Sequence, residues 1–167
     1  KNVAEVRSKI KIPTIFNLLG PLLNPANANI QLIGVYSYEW MLPIAKCLKD
    51  LKIKKAWVVH GQDGLDEITT TSKTKIIEVK NNKLKSFDFC QSELDIPISS
   101  SNEIIGGDHA YNAQITKSIL SGKEIGAKRN IVLVNAAFCI CASGKVDSLH
   151  EALLLAQESI DSGSALD

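Results

Sequence analysis

The chain has 167 residues, 45% hydrophobic and 22% charged, with 19 basic against 18 acidic side chains. That length allows one domain with its own core, and the composition excludes an intrinsically disordered chain. Lys and Arg scattered among acids argue against a nucleic-acid-binding surface, and the longest apolar run, residues 131–142, is broken by Asn135 and too short to cross a membrane.

In chain order, residues 3–12 suit an amphipathic helix with Val3, Val6 and Ile10 on one face, ended by Pro13 because the residue before a proline avoids the helical region. Residues 17–29, dense in Gly, Pro and Asn, predict an ordered loop in which Asn17 and Asn24 fix the backbone. Residues 31–36 read as a strand. Ser37 is a candidate N-cap for a helix running to about Leu51, with Trp40, Ile44, Leu48 and Leu51 as its stripe; Pro43 conflicts with that start and predicts a later beginning or a kink. Residues 55–59 form the next strand, giving the strand–helix–strand unit of a parallel pair.

The segment that follows, His60-Gly61-Gln62-Asp63-Gly64-Leu65-Asp66-Glu67, holds two glycines and three carboxylates at the end of a buried strand. Open α/β sheets collect ligands where strands end in loops. Adjacent carboxylates there suit a hard cation such as Mg²⁺, which takes oxygen ligands and reaches its substrate through phosphates. The plain alternative for these residues is a solvated acidic turn. His60, beside the loop, is assigned a structural role.

Residues 75–80 and 83–89, joined by Asn81-Asn82, predict a β-hairpin, and 92–102 a polar loop. The remainder reads as three helices. Asp108 caps the first, with Tyr111, Ile115 and Ile119 on one face and Gly122 past its end. Residues 127–142 are apolar almost all round and predict a buried helix. Ser148 with Glu151 fits a capping box that opens the last helix, lined by Leu149, Leu153, Ala156 and Ile160. His109, His150 and the pair Lys128-Arg129 are expected to be solvated. The four cysteines lack zinc spacing and a redox Cys-x-x-Cys, which predicts buried, reduced thiols in a cytoplasmic protein.

Several longer strings occur in order along the chain: Thr14-Ile15-Phe16-Asn17-Leu18-Leu19-Gly20-Pro21-Leu22-Leu23-Asn24-Pro25, Gln31-Leu32-Ile33-Gly34-Val35-Tyr36-Ser37, and Val59 through Glu67. Gly106-Gly107-Asp108, Gly126-Ala127-Lys128-Arg129, Val134-Asn135-Ala136-Ala137 and Ile160-Asp161-Ser162-Gly163 follow. Together they resemble anthranilate phosphoribosyltransferase. The resemblance implies an α/β fold: part of a mixed-sheet catalytic domain, with a strand–helix–strand unit and a hairpin followed by three helices. It also implies transfer of the phosphoribosyl group of phosphoribosyl pyrophosphate to anthranilate, with Mg²⁺ as cofactor, in tryptophan biosynthesis.

By the same resemblance, Asp66 and Glu67 match the family's metal-binding pair, and Arg7 matches the arginine that contacts the anthranilate carboxylate. A guanidinium can grip a carboxylate with two parallel hydrogen bonds, although without the resemblance Arg7 reads as a helix-surface residue. Lys11 and Pro13 stand where the family often has Gly and a second Arg. The family's small helical domain and Gly-Thr-Gly-Gly-Asp diphosphate loop do not occur here. Residues 1–167 are therefore expected to be a partial catalytic domain, the C-terminal half of an enzyme, inactive alone, whose parent pairs as a homodimer. The competing readings are a pyrimidine nucleoside phosphorylase-like enzyme, against which the intact Gly64-Leu65-Asp66-Glu67 speaks, and a non-catalytic nucleic-acid-binding relative, which would need a basic face.

Overall fold

A computed structural model describes residues 19–20, 22–23 and 25–167. The helix predicted over 3–12, with Arg7, Lys11 and Pro13, and the loop residues Asn17 and Asn24 lie outside the described residues.

The first strand, β1 (Ile30–Gly34), leads through a single 3-10 turn (Tyr38–Trp40) into helix α1 (Met41–Asp50) and then β2 (Lys55–Gly61). β1 and β2 are parallel, Ile30 opposite Lys55 and Gly34 opposite Val59. β2 then pairs antiparallel with β3 (Thr74–Lys80), and β3 with β4 (Lys83–Phe89). Among the described residues the result is a mixed sheet of order β1-β2-β3-β4. The hairpin is as predicted: Asn81 and Asn82 both take positive φ, 50° and 58°, the backbone of the tight turns whose twist matches the strands.

The proline conflict resolves in favour of a later start. Ser37 makes no side-chain cap, the chain first turns as a 3-10 element, and the α-helix begins at Met41. Pro43 then falls in the first turn, where its missing N–H has no intrahelical acceptor to lose. The stripe is Met41, Ile44, Ala45 and Leu48, all buried. Leu51 does not belong to it. The helix ends at Asp50, and Leu51 stands 57% exposed.

Two clusters pack the two faces of the sheet, as the strand period dictates. Ala56 and Val58 of β2 point to α1, together with Ile33, Ile77 and Val79. Trp57 and Val59 point the other way, toward α4 (Ala127–Ser143) and α5 (Leu149–Asp161). There Phe138 is fully buried and meets Trp57 and Phe89 edge-on, with ring centroids 5.4 and 4.9 Å apart. These edge-to-face contacts suit the ring quadrupoles.

The segment 92–102, expected to be a loop, contains most of a 3-10 turn (Gln91–Leu94) and the start of short helix α2 (Ser101–Ile104), stabilised locally by Glu93 and Glu103 accepting from the Cys90 and Ser100 N–H groups at 2.8 and 2.7 Å. Helix α3 (His109–Leu120) is capped by Asp108, which accepts from Tyr111 N–H at 2.8 Å. Its predicted face is buried only at the C-terminal end: Ile119 is 4% exposed but Tyr111 49%. At α5 Ser148 Oγ accepts from Glu151 N–H at 3.1 Å, the forward half of the predicted box.

Three surface expectations are corrected. α4 is not buried all round, because Val132 and Cys139 face solvent. Of the cysteines only Cys141 is buried; Cys47 lies on the solvent side of α1, and Cys90 is half-buried. A two-layer contact covers one side of each helix, so a thiol on the far side stays in water. Lys128 and Arg129 are not simply solvated: Lys128 donates to the Glu103 carbonyl, and Arg129 pairs with Asp161, each at 2.6 Å. His109 and His150 are exposed, as expected. No helix among the described residues is long and apolar enough to cross a membrane.

Candidate active site

β1 and β2 run parallel, so their C-terminal ends open on the same side, and the acidic loop leaves β2 there. The loop folds on its own backbone. Gly61 N–H donates to the Leu65 carbonyl at 2.8 Å and Gly64 N–H to the Gly61 carbonyl at 2.9 Å, with Gly64 at φ +93°. That value is open to glycine and rare for other residues. The loop then dives into the core at Ile68, Thr69 and Thr70, all fully buried.

Asp63 belongs to the internal scaffolding of the loop. Its carboxylate accepts from Leu65 N–H at 3.1 Å, from Thr69 Oγ1 at 2.6 Å, and from the Thr71 hydroxyl. Burial alone would lift this carboxyl, but the bonds from Thr69, Thr71 and Leu65 outweigh it and hold the group below its ordinary value. His60 is structural too: its Nδ1 donates to the Val35 carbonyl at 2.8 Å, tying the loop's start to β1's end.

Asp66 and Glu67 differ. Both are exposed, and neither side chain makes a hydrogen bond or ion pair with another described residue. Partial desolvation of the Glu67 carboxyl, and then the neighbouring Asp66 and Asp63 charges, push it above the ordinary glutamate value. Among the described residues the loop thus presents uncompensated negative charge. Glu67 borders a cavity of about 420 Å³ whose other walls include Leu65, Thr71, Ser101, Ile104, Ile105 and Ile131. α2 and the start of α4 therefore supply an apolar wall opposite an acidic edge.

The donor set fits Mg²⁺. Among the described residues no group of three or more His, Cys, Asp or Glu could hold a metal. The described residues thus offer no zinc-like protein cage. Mg²⁺ instead keeps several waters and is held by one or two carboxylates plus substrate phosphates. The pair Asp66-Glu67 is of that kind.

The supporting roles of two residues escaped the sequence reading. A Cβ at Gly34 would collide with the Asp66 carbonyl, so only glycine at the end of β1 lets the loop approach this closely. Asn135 of α4 bonds to both backbone groups of Ile68, next to Glu67. The available signals were a glycine within a strand and one amide within an apolar run. A second cavity, about 530 Å³, lies at the other end of β2, lined by Lys49, Lys52, Lys54, Asn81 and Asn82 among others. It holds no carboxylate pair and is remote from the acidic loop.

Residues 1–166 match the family model described as "Glycosyl transferase family, a/b domain". The chain is 43% identical over 165 residues to the anthranilate phosphoribosyltransferase of Methanobrevibacter smithii, covering 99% of this chain and 49% of that protein. It is 44% identical to the enzyme of that name from Parvibaculum lavamentivorans, covering 99% and 48%. The solved anthranilate phosphoribosyltransferase of Thermus thermophilus superposes with a TM-score of 0.87 at 34% identity, over 98% of this chain and 48% of that one. The Saccharomyces cerevisiae enzyme in complex with phosphoribosyl pyrophosphate and Mg gives 0.88 at 32%, over 98% and 47%. The chain spans about half the length of the curated relatives it matches.

Proposed function

The chain belongs to the glycosyl transferase family of that α/β domain, and from this premise we propose that it carries the metal-binding part of a phosphoribosyl transfer from phosphoribosyl pyrophosphate to anthranilate. The observation that carries the reading is the Asp66-Glu67 pair at the parallel strand ends, without a partner among the described residues, with Glu67 bordering a cavity. In this transfer the bond from the anomeric carbon to a pyrophosphate oxygen breaks, a bond to the anthranilate nitrogen forms, and the amine loses a proton. No protein nucleophile is needed; positioning and charge stabilisation suffice. Mg²⁺, when bound, supplies neutralisation of the departing pyrophosphate charge.

The chain's own residues do the rest. Asp66 and Glu67 hold the ion. The loop hydrogen bonds of Asp63 and the close approach at Gly34 hold Asp66 in place and, beside it, Glu67 at the cavity edge. Ile104, Ile105 and Ile131 line the cavity beside Glu67. Arg7, from the sequence match, is assigned to the anthranilate carboxylate. The same reading includes a cytoplasmic homodimer. The transferase name shared by the relatives above favours it over a nucleoside phosphorylase.

Paired Asp66→Asn and Glu67→Gln substitutions in the full protein test it. A loss of roughly 10²-fold or more in kcat is expected, the scale of removing one preorganised electrostatic stabiliser. Activity within a few-fold of the parent would reduce the pair to a solvated turn.

A further inference from the structure

Asn135 sits within α4 between buried Val134 and Ala137. Its Nδ2 donates to the Ile68 carbonyl at 2.8 Å and to the Ile131 carbonyl at 2.9 Å, and its Oδ1 accepts from Ile68 N–H at 3.0 Å. A single carboxamide thus pairs with both backbone groups of Ile68, as a neighbouring strand would. Ile68 is fully buried and directly follows Glu67. One residue earlier, the Asp66 carbonyl lies against Gly34 of β1. The three residues 66–68 are therefore gripped from both sides, by β1 and by α4. Packing alone does not call for this amide. A leucine would fill similar space in an apolar helix, but would leave Ile68 N–H and C=O without partners.

We propose that Asn135 is a positioning residue for the acidic pair: through the Ile68 backbone it fixes how Glu67 is presented to the cavity, and so sets divalent-metal affinity. This rests on the metal-binding reading of the site.

The test is Mn²⁺ binding by electron paramagnetic resonance, with inorganic pyrophosphate present and no acceptor. Four forms of the full protein are compared: parent, Asn135→Asp, Glu67→Gln, and the double variant. Asn135→Asp keeps the shape and the acceptor but removes both donors. It is expected to bind Mn²⁺ about tenfold more weakly, the range seen when a partner that orients a metal ligand is lost. The double variant should bind no more weakly than Glu67→Gln alone, because Asn135 acts through Glu67. A merely structural asparagine would not show that coupling. Affinity of folded Asn135→Asp within twofold of the parent, or a double variant whose loss multiplies the two single losses, overturns the proposal while leaving the effect of Glu67→Gln intact. Unchanged Mn²⁺ binding in Glu67→Gln overturns the metal site itself and the proposal with it. If circular dichroism shows Asn135→Asp unfolded, Asn135→Ser, which adds no charge, enters the same comparison with the same thresholds.

Discussion

Glu67 and Asp63 are four residues apart in one loop, yet their carboxyls are pushed in opposite directions. Burial, then the charges of Asp66 and Asp63, raise Glu67. A group raised in the folded state contributes stability that is fully present below its unfolded value and lost as pH rises through the folded one. Glu67→Gln is therefore expected to melt higher than the parent at neutral pH in chelator, with the gap closing below about pH 4. For Asp63, burial is outweighed by the Thr69, Thr71 and Leu65 bonds, and the group is lowered. Its contribution is present above the unfolded value of about 3.9 and lost as pH falls through the depressed one. Asp63→Asn should accordingly melt lower than the parent at neutral pH and converge with it in acid. Thermal melts at several pH values check both signs. Arg7 makes a prediction of another kind. Arg7→Ala should raise the anthranilate KM far more than that for phosphoribosyl pyrophosphate, because the carboxylate loses a charge-assisted partner worth about 1.5–3 kcal/mol. Arg7→Lys should recover only part of the loss, since an ammonium lacks the planar fork. An unchanged anthranilate KM beside a raised phosphoribosyl pyrophosphate KM would sink the assignment.

Among the described elements, α3 is the least anchored of the long helices. Only Ile119, near its end, is buried, and its first turn depends on the Asp108 cap. A helix stabilised so little by packing leans on its cap, and loss of an Asp cap costs about 1 kcal/mol. Asp108→Ala should therefore speed amide hydrogen exchange across the first turns of α3, while β2 and β3 exchange as in the parent. Equal acceleration in the sheet would mean that α3 unfolds only with the whole domain. α1 and α5 behave differently because their stripes are buried along their length: Met41, Ile44, Ala45 and Leu48 in one, Ala152, Leu153, Ala156 and Ile160 in the other.

At the largest scale, the described residues form a sheet with a separate cluster of buried side chains on each face. Leu48 and Phe138 are fully buried on opposite faces. Leu48→Ala should cost about 2–5 kcal/mol and Phe138→Ala about 3–5 kcal/mol, each a large share of a typical 5–15 kcal/mol total. With the sheet between them and no shared partner, the two losses should add to within about 0.5 kcal/mol in urea unfolding. Marked non-additivity would show that the two faces relax together. At this scale charge is also sorted. Carboxylates without partners among the described residues crown one end of β2, while three lysines, Lys49, Lys52 and Lys54, with the single acid Asp50, line a cavity at the other.

Much was legible in the sequence because the signals are local. The strand–helix–strand order, the Asn81-Asn82 turn, the Asp108 cap and the α5 stripe follow from periodicity and from residues with special backbone preferences. So did the acidic loop at a strand end, and the ordered motifs that carry the family resemblance. What periodicity cannot say is how much of a helix its neighbours cover. Hence Leu51, Tyr111, Cys47 and Cys139 proved exposed, against expectation. Nor can it register contacts between distant residues. Asn135 and Ile68 lie 67 positions apart, and Gly34 of β1 meets Asp66 of the loop that follows β2. Only the tertiary structure brings β1, the acidic loop and α4 to one edge. It does so because both faces of the sheet must be buried at once, and that packing, more than any local preference, leaves Asp66 and Glu67 held but unpaired.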